Sequence, residues 1–174
     1  MGAKADRPVA VARPTIGDLY VRHAEAAVRL AYLLTGDGAV AEDLVQDAFV
    51  KLAGRLVHMR DPQAFDAYLR TTIVNLSHSH FRRKRVERTY LRRARLEAVS
   101  TVAPPSSSIE DREELWRALS QLSSRQRAAI VLRFYEDLSE AEVGDILSCA
   151  PGTVKSLVSR GLEKLRSEVR REDR

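Results

Sequence analysis

A single cysteine, Cys149, stands among the 174 residues. That excludes an internal disulfide and any cysteine-rich zinc site. Glycines number only 8, which argues against a chain full of tight β-turns, and the low aromatic share of 6% belongs with a helix-rich composition. No apolar run is long enough to cross a bilayer. Met1 to Thr15 carries charges but lacks the apolar stretch of a secretory signal, so a cytoplasmic protein is expected. No glycine-rich phosphate loop, nucleophile elbow or metal-hydrolase motif occurs, so neither enzymatic activity nor a cofactor is expected. His78 and His80 lie two apart, whereas helical metal ligands favour a spacing of four; no metal site is expected. His23 reads as a core-edge histidine, and Cys149 as a small buried filler.

What the chain does have is charge and apolar helical pattern. Charged residues reach 30% and apolar residues 44%, a balance that fits a helix-rich globular protein. The net charge of +5 is not spread evenly. Residues 1–81 balance nine basic against nine acidic side chains, and residues 111–174 balance twelve against twelve. The stretch 82–110 holds eight basic and three acidic side chains and carries the whole excess. Its core is Arg82-Arg83-Lys84-Arg85, followed by Arg88, Arg92, Arg93 and Arg95. Such density attracts polyphosphate, although a solvated arginine-rich helix end has the same composition. Within the last part, residues 111–150 are net acidic and residues 151–174 net basic.

The periodicity predicts at least six helices and no strand. The first runs from about Ile16 to Leu34, capped by Thr15, with Leu19, His23, Ala27, Leu30 and Leu34 at helical spacing. Thr35-Gly36-Asp37-Gly38 stops it. The second, about Ala39 to Ala53, buries Val40, Leu44, Ala48 and Leu52, widened by Ala41, Val45 and Phe49. Asp43, Gln46 and Asp47 occupy the far side with Val50 among them. An apolar residue between carboxylates hints at a protein contact, though single exposed valines are also ordinary. Asp61-Pro62 starts a third helix that runs past Arg82. Phe65, Tyr68, Leu69, Thr72, Ile73 and Leu76 form its expected core stripe.

Tandem prolines and serines between Ser100 and Ser108 read as a linker. The expected architecture is all-α: a flexible N-terminus over 1–14, a helical domain over 15–96, a flexible linker over 97–109, and a second small helical domain over 110–174. The second domain reads as four short helices. The first, over 110–120, holds Leu115, Trp116 and Leu119. Ser123 or Ser124 caps the next, which runs through about Phe134 with Ile130, Val131 and Phe134 inward. Ser139-Glu140-Ala141-Glu142 is a capping box opening the third. Pro151 starts the last, which runs to about Arg171 and buries Val154, Leu157, Val158, Gly161, Leu162 and Leu165.

Residues 139–166 have the layout of a helix-turn-helix, whose second helix enters the major groove of DNA. The buried stripe leaves Thr153, Lys155, Ser156, Ser159 and Arg160 outward near that helix's N-terminus, where side chains of this kind meet base edges and phosphates. A plain helical hairpin with a polar face has the same layout; the switch from acidic to basic charge favours DNA.

Two segments carry a family resemblance. Ala41-Glu42-Asp43-Leu44-Val45-Gln46-Asp47-Ala48-Phe49 resembles region 2.2 of bacterial sigma factors. Leu138-Ser139-Glu140-Ala141-Glu142-Val143 with Pro151-Gly152-Thr153-Val154-Lys155-Ser156 resembles their region 4.2. Order, spacing and length are similar to the extracytoplasmic-function (ECF) group, and the resemblance covers about residues 15–171. It implies a factor that binds core RNA polymerase, recognises the −10 and −35 promoter elements and assists melting. A helix-turn-helix repressor or activator with a sensing or dimerising N-terminal domain is the alternative, and an RNA-binding accessory protein a remoter one.

The resemblance also implies roles residue by residue. Asp43, Gln46, Asp47 and Val50 would meet core RNA polymerase. Asn75 would contact a flipped base of the −10 strand, with His58 and Arg60 in the loop that cradles it. Arg70, Arg82, Arg83, Lys84 and Arg85 would hold phosphates of that strand. Arg125 and Arg127 would grip the backbone near the −35 element, and Thr153, Lys155, Ser156, Ser159 and Arg160 would read it as duplex. An anti-sigma factor is a further partner of such proteins. Ser79, Ser148, Ala150 and Leu157 depart from the commoner family pattern; Leu157 leaves one expected DNA contact in question.

Overall fold

The computed structural model describes residues 14–56, 64–93 and 109–172, with side chains described over 14–56, 64–87 and 115–167. The described residues form seven α-helices and one π-helical turn: α1 (Ile16–Thr35), α2 (Gly38–Leu56), α3 (Phe65–Arg93), α4 (Ile109–Ser120), α5 (Ser124–Ile130), the π turn (Val131–Tyr135), α6 (Glu140–Leu147) and α7 (Pro151–Glu172). Residues 97–108 of the expected linker and the Asp61-Pro62 helix start fall outside the described residues, while Ile109, expected in the linker, opens α4.

Helix starts are written locally. The Thr15 hydroxyl accepts from the Asp18 amide at 3.2 Å, and the Asp18 carboxylate accepts from the Thr15 amide at 2.9 Å. Ser123 with Gln126 and Ser139 with Glu142 make the same reciprocal cap, so two orphan amides are satisfied at each start. These bonds hold the carboxyls of Asp18 and Glu142 below the usual range. Gly36, at φ 74°, ends α1 and donates its amide to the Tyr32 carbonyl at 2.7 Å.

The first bundle packs α1, α2 and α3 on one another. Leu30, Val45, Leu52, Phe65 and Ile73 lie fully buried among them. The second bundle packs α5 and α6 on α7, around Leu132, Val143 and Val154. The two bundles also touch: α3 packs against α5 and α6, and α1 against α5 and the π turn.

Two core assignments change. Tyr68 is half exposed rather than inward. The buried face of α3 is rotated towards Val74 and Ser77, because this helix is covered by the second bundle as well as the first. Phe134 also faces out. The π turn that follows α5 pairs the Glu136 amide with the Val131 carbonyl at 3.1 Å. Five-residue spacing inserts one residue relative to an α-helix, which turns the following side chain by about 100°.

Candidate nucleic-acid and protein interfaces

On α2, Leu44, Val45, Ala48 and Phe49 are buried, while Asp43, Gln46, Asp47 and Val50 are exposed. Val50 keeps 74% of its surface open. Behind this face, the Phe49 ring packs on Phe65 at 5.7 Å and on Tyr20 at 4.9 Å between centroids. The four residues therefore stand on a helix that is pinned from below.

On α3, Asn75 is exposed between buried Val74 and Leu76. Arg82, Arg83, Lys84 and Arg85 are all exposed. His58 and Arg60 lie outside the described residues. Arg70 is not the open phosphate ligand that the sequence led one to expect. Its Nε meets Glu136 Oε2 at 2.6 Å, its Nη2 meets Asp66 Oδ2, and only 20% of its side chain is exposed. Burial raises the Glu136 carboxyl above its usual pKa, against the pull of Arg70.

The helix-turn-helix is tightly drawn. The Cys149 amide donates to the Gly144 carbonyl at 2.9 Å. A Cβ on Gly144 would fall 2.7 Å from the Cys149 carbonyl oxygen, so only glycine lets the turn fold back on α6. Ser148 takes φ 51° in that turn, a region costly for a residue with a side chain. Ala150 caps α7 through its backbone, its carbonyl accepting from the Thr153 amide at 2.8 Å and the Val154 amide at 3.2 Å. Val154 anchors α7 in the core. Thr153, Lys155, Ser156, Ser159 and Arg160 are exposed. Ser156 Oγ donates to the Gly152 carbonyl at 3.0 Å, and Arg160 Nε to the Ser156 carbonyl at 3.3 Å. Leu157 packs partly buried against the core, which explains why an apolar residue is tolerated there.

The two arginines expected on α5 part company. Arg125 is exposed and donates to the Leu147 carbonyl at 3.0 Å. Arg127 is buried, 6% exposed, and in this conformation it does not face solvent or phosphate. Its Nε, Nη1 and Nη2 donate to the carbonyls of Leu119 at 3.0 Å, Leu34 at 2.7 Å and Leu122 at 3.3 Å. Its guanidinium lies 4.6 Å from the Trp116 ring and 5.3 Å from the Phe81 ring. Burial pushes its pKa down to about 10. Carbonyls at the C-terminal ends of α1 and α4 carry partial negative charge, so they hold a cation here without a carboxylate.

Leu34, Phe81, Trp116 and Arg127 meet only because the bundles meet, and so do Arg70 and Glu136. Local periodicity gives no signal for them, since the Arg127–Leu34 bond joins residues 93 apart.

Comparison with known proteins gives a consistent picture. Residues 19–87 match the family model for sigma-70 region 2, and residues 112–165 that for sigma-70, region 4. An RNA polymerase sigma-E factor of Streptomyces avermitilis is 34% identical, over 88% of this chain and 85% of the relative. The ECF RNA polymerase sigma factor SigM of Mycobacterium tuberculosis is 32% identical, over 90% of this chain and 78% of the relative. Among solved structures, the sigma factor RpoE in complex with the anti-sigma factor NepR from Bartonella quintana superposes with a TM-score of 0.69 at 28% identity, over 88% of this chain and 96% of that one.

Proposed function

We propose a residue-level division of labour for a chain that belongs to the sigma-70 family of RNA polymerase sigma factors, in its ECF group. As such it binds core RNA polymerase and promoter DNA and directs promoter-specific initiation. In our reading the first bundle, within residues 15–96, holds polymerase through Asp43, Gln46, Asp47 and Val50. Asn75 meets an unstacked base, offering both a donor and an acceptor. Arg82, Arg83, Lys84 and Arg85 hold the phosphates of the melted strand, joined by Arg70 once Glu136 leaves it, and His58 and Arg60, which precede α3 in sequence, help to cradle the base. The second bundle, within 110–174, reads the upstream duplex through Thr153, Lys155, Ser156, Ser159 and Arg160, with Arg125 on the backbone.

The single observation that supports this reading best is the α2 face. Three polar side chains and one 74% exposed valine stand together on a helix whose opposite face is closed. Promoter melting then draws on binding of unstacked bases, which offsets the few kcal/mol of each flipped base. The chain itself carries out no covalent step and works in the cytoplasm; no described helix is long and apolar enough to cross a membrane. An anti-sigma partner, as RpoE has in NepR, belongs to the same reading. The test is transcription by core polymerase from promoters mapped by 5′ ends after overexpression. Charge reversal of Asp43 and Asp47 should abolish both polymerase pull-down and that transcription. Retention of both would overturn the assignment.

A further inference from the structure

Among the described residues, three side-chain contacts that bear on the clasp join the second bundle to the first, and their second-bundle partners lie between Arg127 and Glu136. Arg127 Nη1 donates to the Leu34 carbonyl at 2.7 Å. Tyr135 Oη accepts from Arg29 Nε at 3.3 Å. The Glu136 carboxylate accepts from Arg70 Nε at 2.6 Å. Beside them, the Trp116 indole covers Gly36, where a Cβ would come within 1.8 Å of the ring.

We propose that this chain clasps itself shut when free of polymerase, with the Glu136 carboxylate occupying Arg70 in place of a strand phosphate. The proposal rests on the reading of Arg70 as a ligand of the melted −10 strand. Carboxylate and phosphate are the two groups that an arginine fork takes best, so one excludes the other. Glu136 keeps 15% of its side chain exposed and is held over Arg70 by the π turn, not by a mobile surface rotamer. The clasp is built to open. Two of the three Arg127 carbonyls, Leu119 and Leu122, belong to its own bundle. On opening, Arg127 gives up one bond and keeps the others. A buried ion pair such as Arg70–Glu136 returns much of its Coulomb energy as desolvation cost, so parting it is not prohibitive. A chain that is open for a fraction of its time binds strand with affinity reduced by that fraction.

The full-length chain without polymerase provides the test. Glu136→Arg sets two guanidinium groups against each other. It is expected to enlarge the radius of gyration in solution scattering and to shift the emission of Trp116, the only tryptophan, to the red. Affinity for a fluorescent mixed-sequence single-stranded DNA should rise about tenfold, in line with an open fraction of about one tenth in the parent. Asp145→Arg, the same charge change at an exposed site, controls for charge alone. Adding Arg70→Ala to Glu136→Arg should remove the gain. Glu136→Gln, with helix content followed by circular dichroism, gives a milder version should the arginine variant fold poorly. Unchanged radius and emission in both Glu136 variants overturns the clasp. An opened chain with no gain beyond the control overturns Glu136 as the phosphate stand-in. The Arg70 reading has its own arm: Arg70→Ala in the polymerase complex lowers promoter opening if that reading holds, however the free chain closes.

Discussion

The Trp116 indole packs against Gly36, with ring atom Cε2 1.8 Å from where a Cβ would stand. This glycine also has φ 74°, so two demands fall on one position: a left-handed C-cap for α1 and room for a ring from the other bundle. Gly36→Ala is expected to lower thermal stability by at least ~1 kcal/mol and to red-shift Trp116 emission. Gly38→Ala, with nothing within 4 Å, should do neither. Differential scanning and fluorescence spectra on the two variants decide it.

Val50→Asp should leave folding within about 0.5 kcal/mol of the parent, since the side chain is 74% exposed. Affinity for core polymerase should fall by ~1–2 kcal/mol. Thermal melts beside a polymerase titration separate the two effects; a stability loss as large as the affinity loss would count against a contact role.

Asn75→Ala should impair promoter opening more than binding to the upstream duplex. Lys155→Ala and Arg160→Ala should do the reverse, each by about 1–3 kcal/mol per lost contact. Permanganate footprints report opening, and duplex binding by the polymerase complex reports the upstream step. Equal effects of all three substitutions on both steps would undo the division.

His78 supplies the pH dependence. It stands on α3 against α5, with Nε2 buried and without a partner. Burial, and secondarily Arg125, hold its pKa below the ordinary 6.5, while the Ser124 carbonyl pulls the other way. A depressed histidine favours the neutral form in the folded chain. Its contribution is therefore intact above pH 6.5 and lost as pH falls through the depressed value. His80 is shifted in the same direction, by burial and then by Lys84 and Arg83. Burial raises the Glu136 carboxyl, so its protonation acts with the opposite sign. The melting midpoint should drop between about pH 7 and pH 5.5, and His78→Asn should flatten that drop. An equal drop in the variant would remove His78 as the cause.

Ser148 sits at φ 51° in the helix-turn-helix. Ser148→Gly relieves part of the ~1–2 kcal/mol left-handed cost and is expected to raise the melting midpoint by a few degrees without weakening DNA binding. A lowered midpoint would show that the serine side chain is needed there.

Much of this protein was legible before any coordinates. Thr15, Ser123 and Ser139 announced three helix starts, because a cap satisfies amides within three residues of itself. The outward set on α7 followed from the buried stripe through Val154, and the outward set on α2 from Leu44 and Ala48, because helical period alone assigns faces. Tyr68 and Phe134 were misplaced for physical reasons: a second covering surface rotates the buried face of α3, and a π turn shifts the register after α5. Neither leaves a mark in a window of a few residues.

Caps and periodicity act over one or two turns, and they are enough to specify an all-helical chain with two motif-bearing halves and the faces that those halves turn outward. The fate of Arg70, Arg127 and Glu136 comes from packing across the chain. On paper they are two arginines available for phosphate and an acid with no assigned role. In space, two helix ends and a π turn converge, and burial commits one arginine to three carbonyls and the other to a carboxylate from the opposite half. Such bonds depend on where distant segments meet, and that is set by packing rather than by any local pattern.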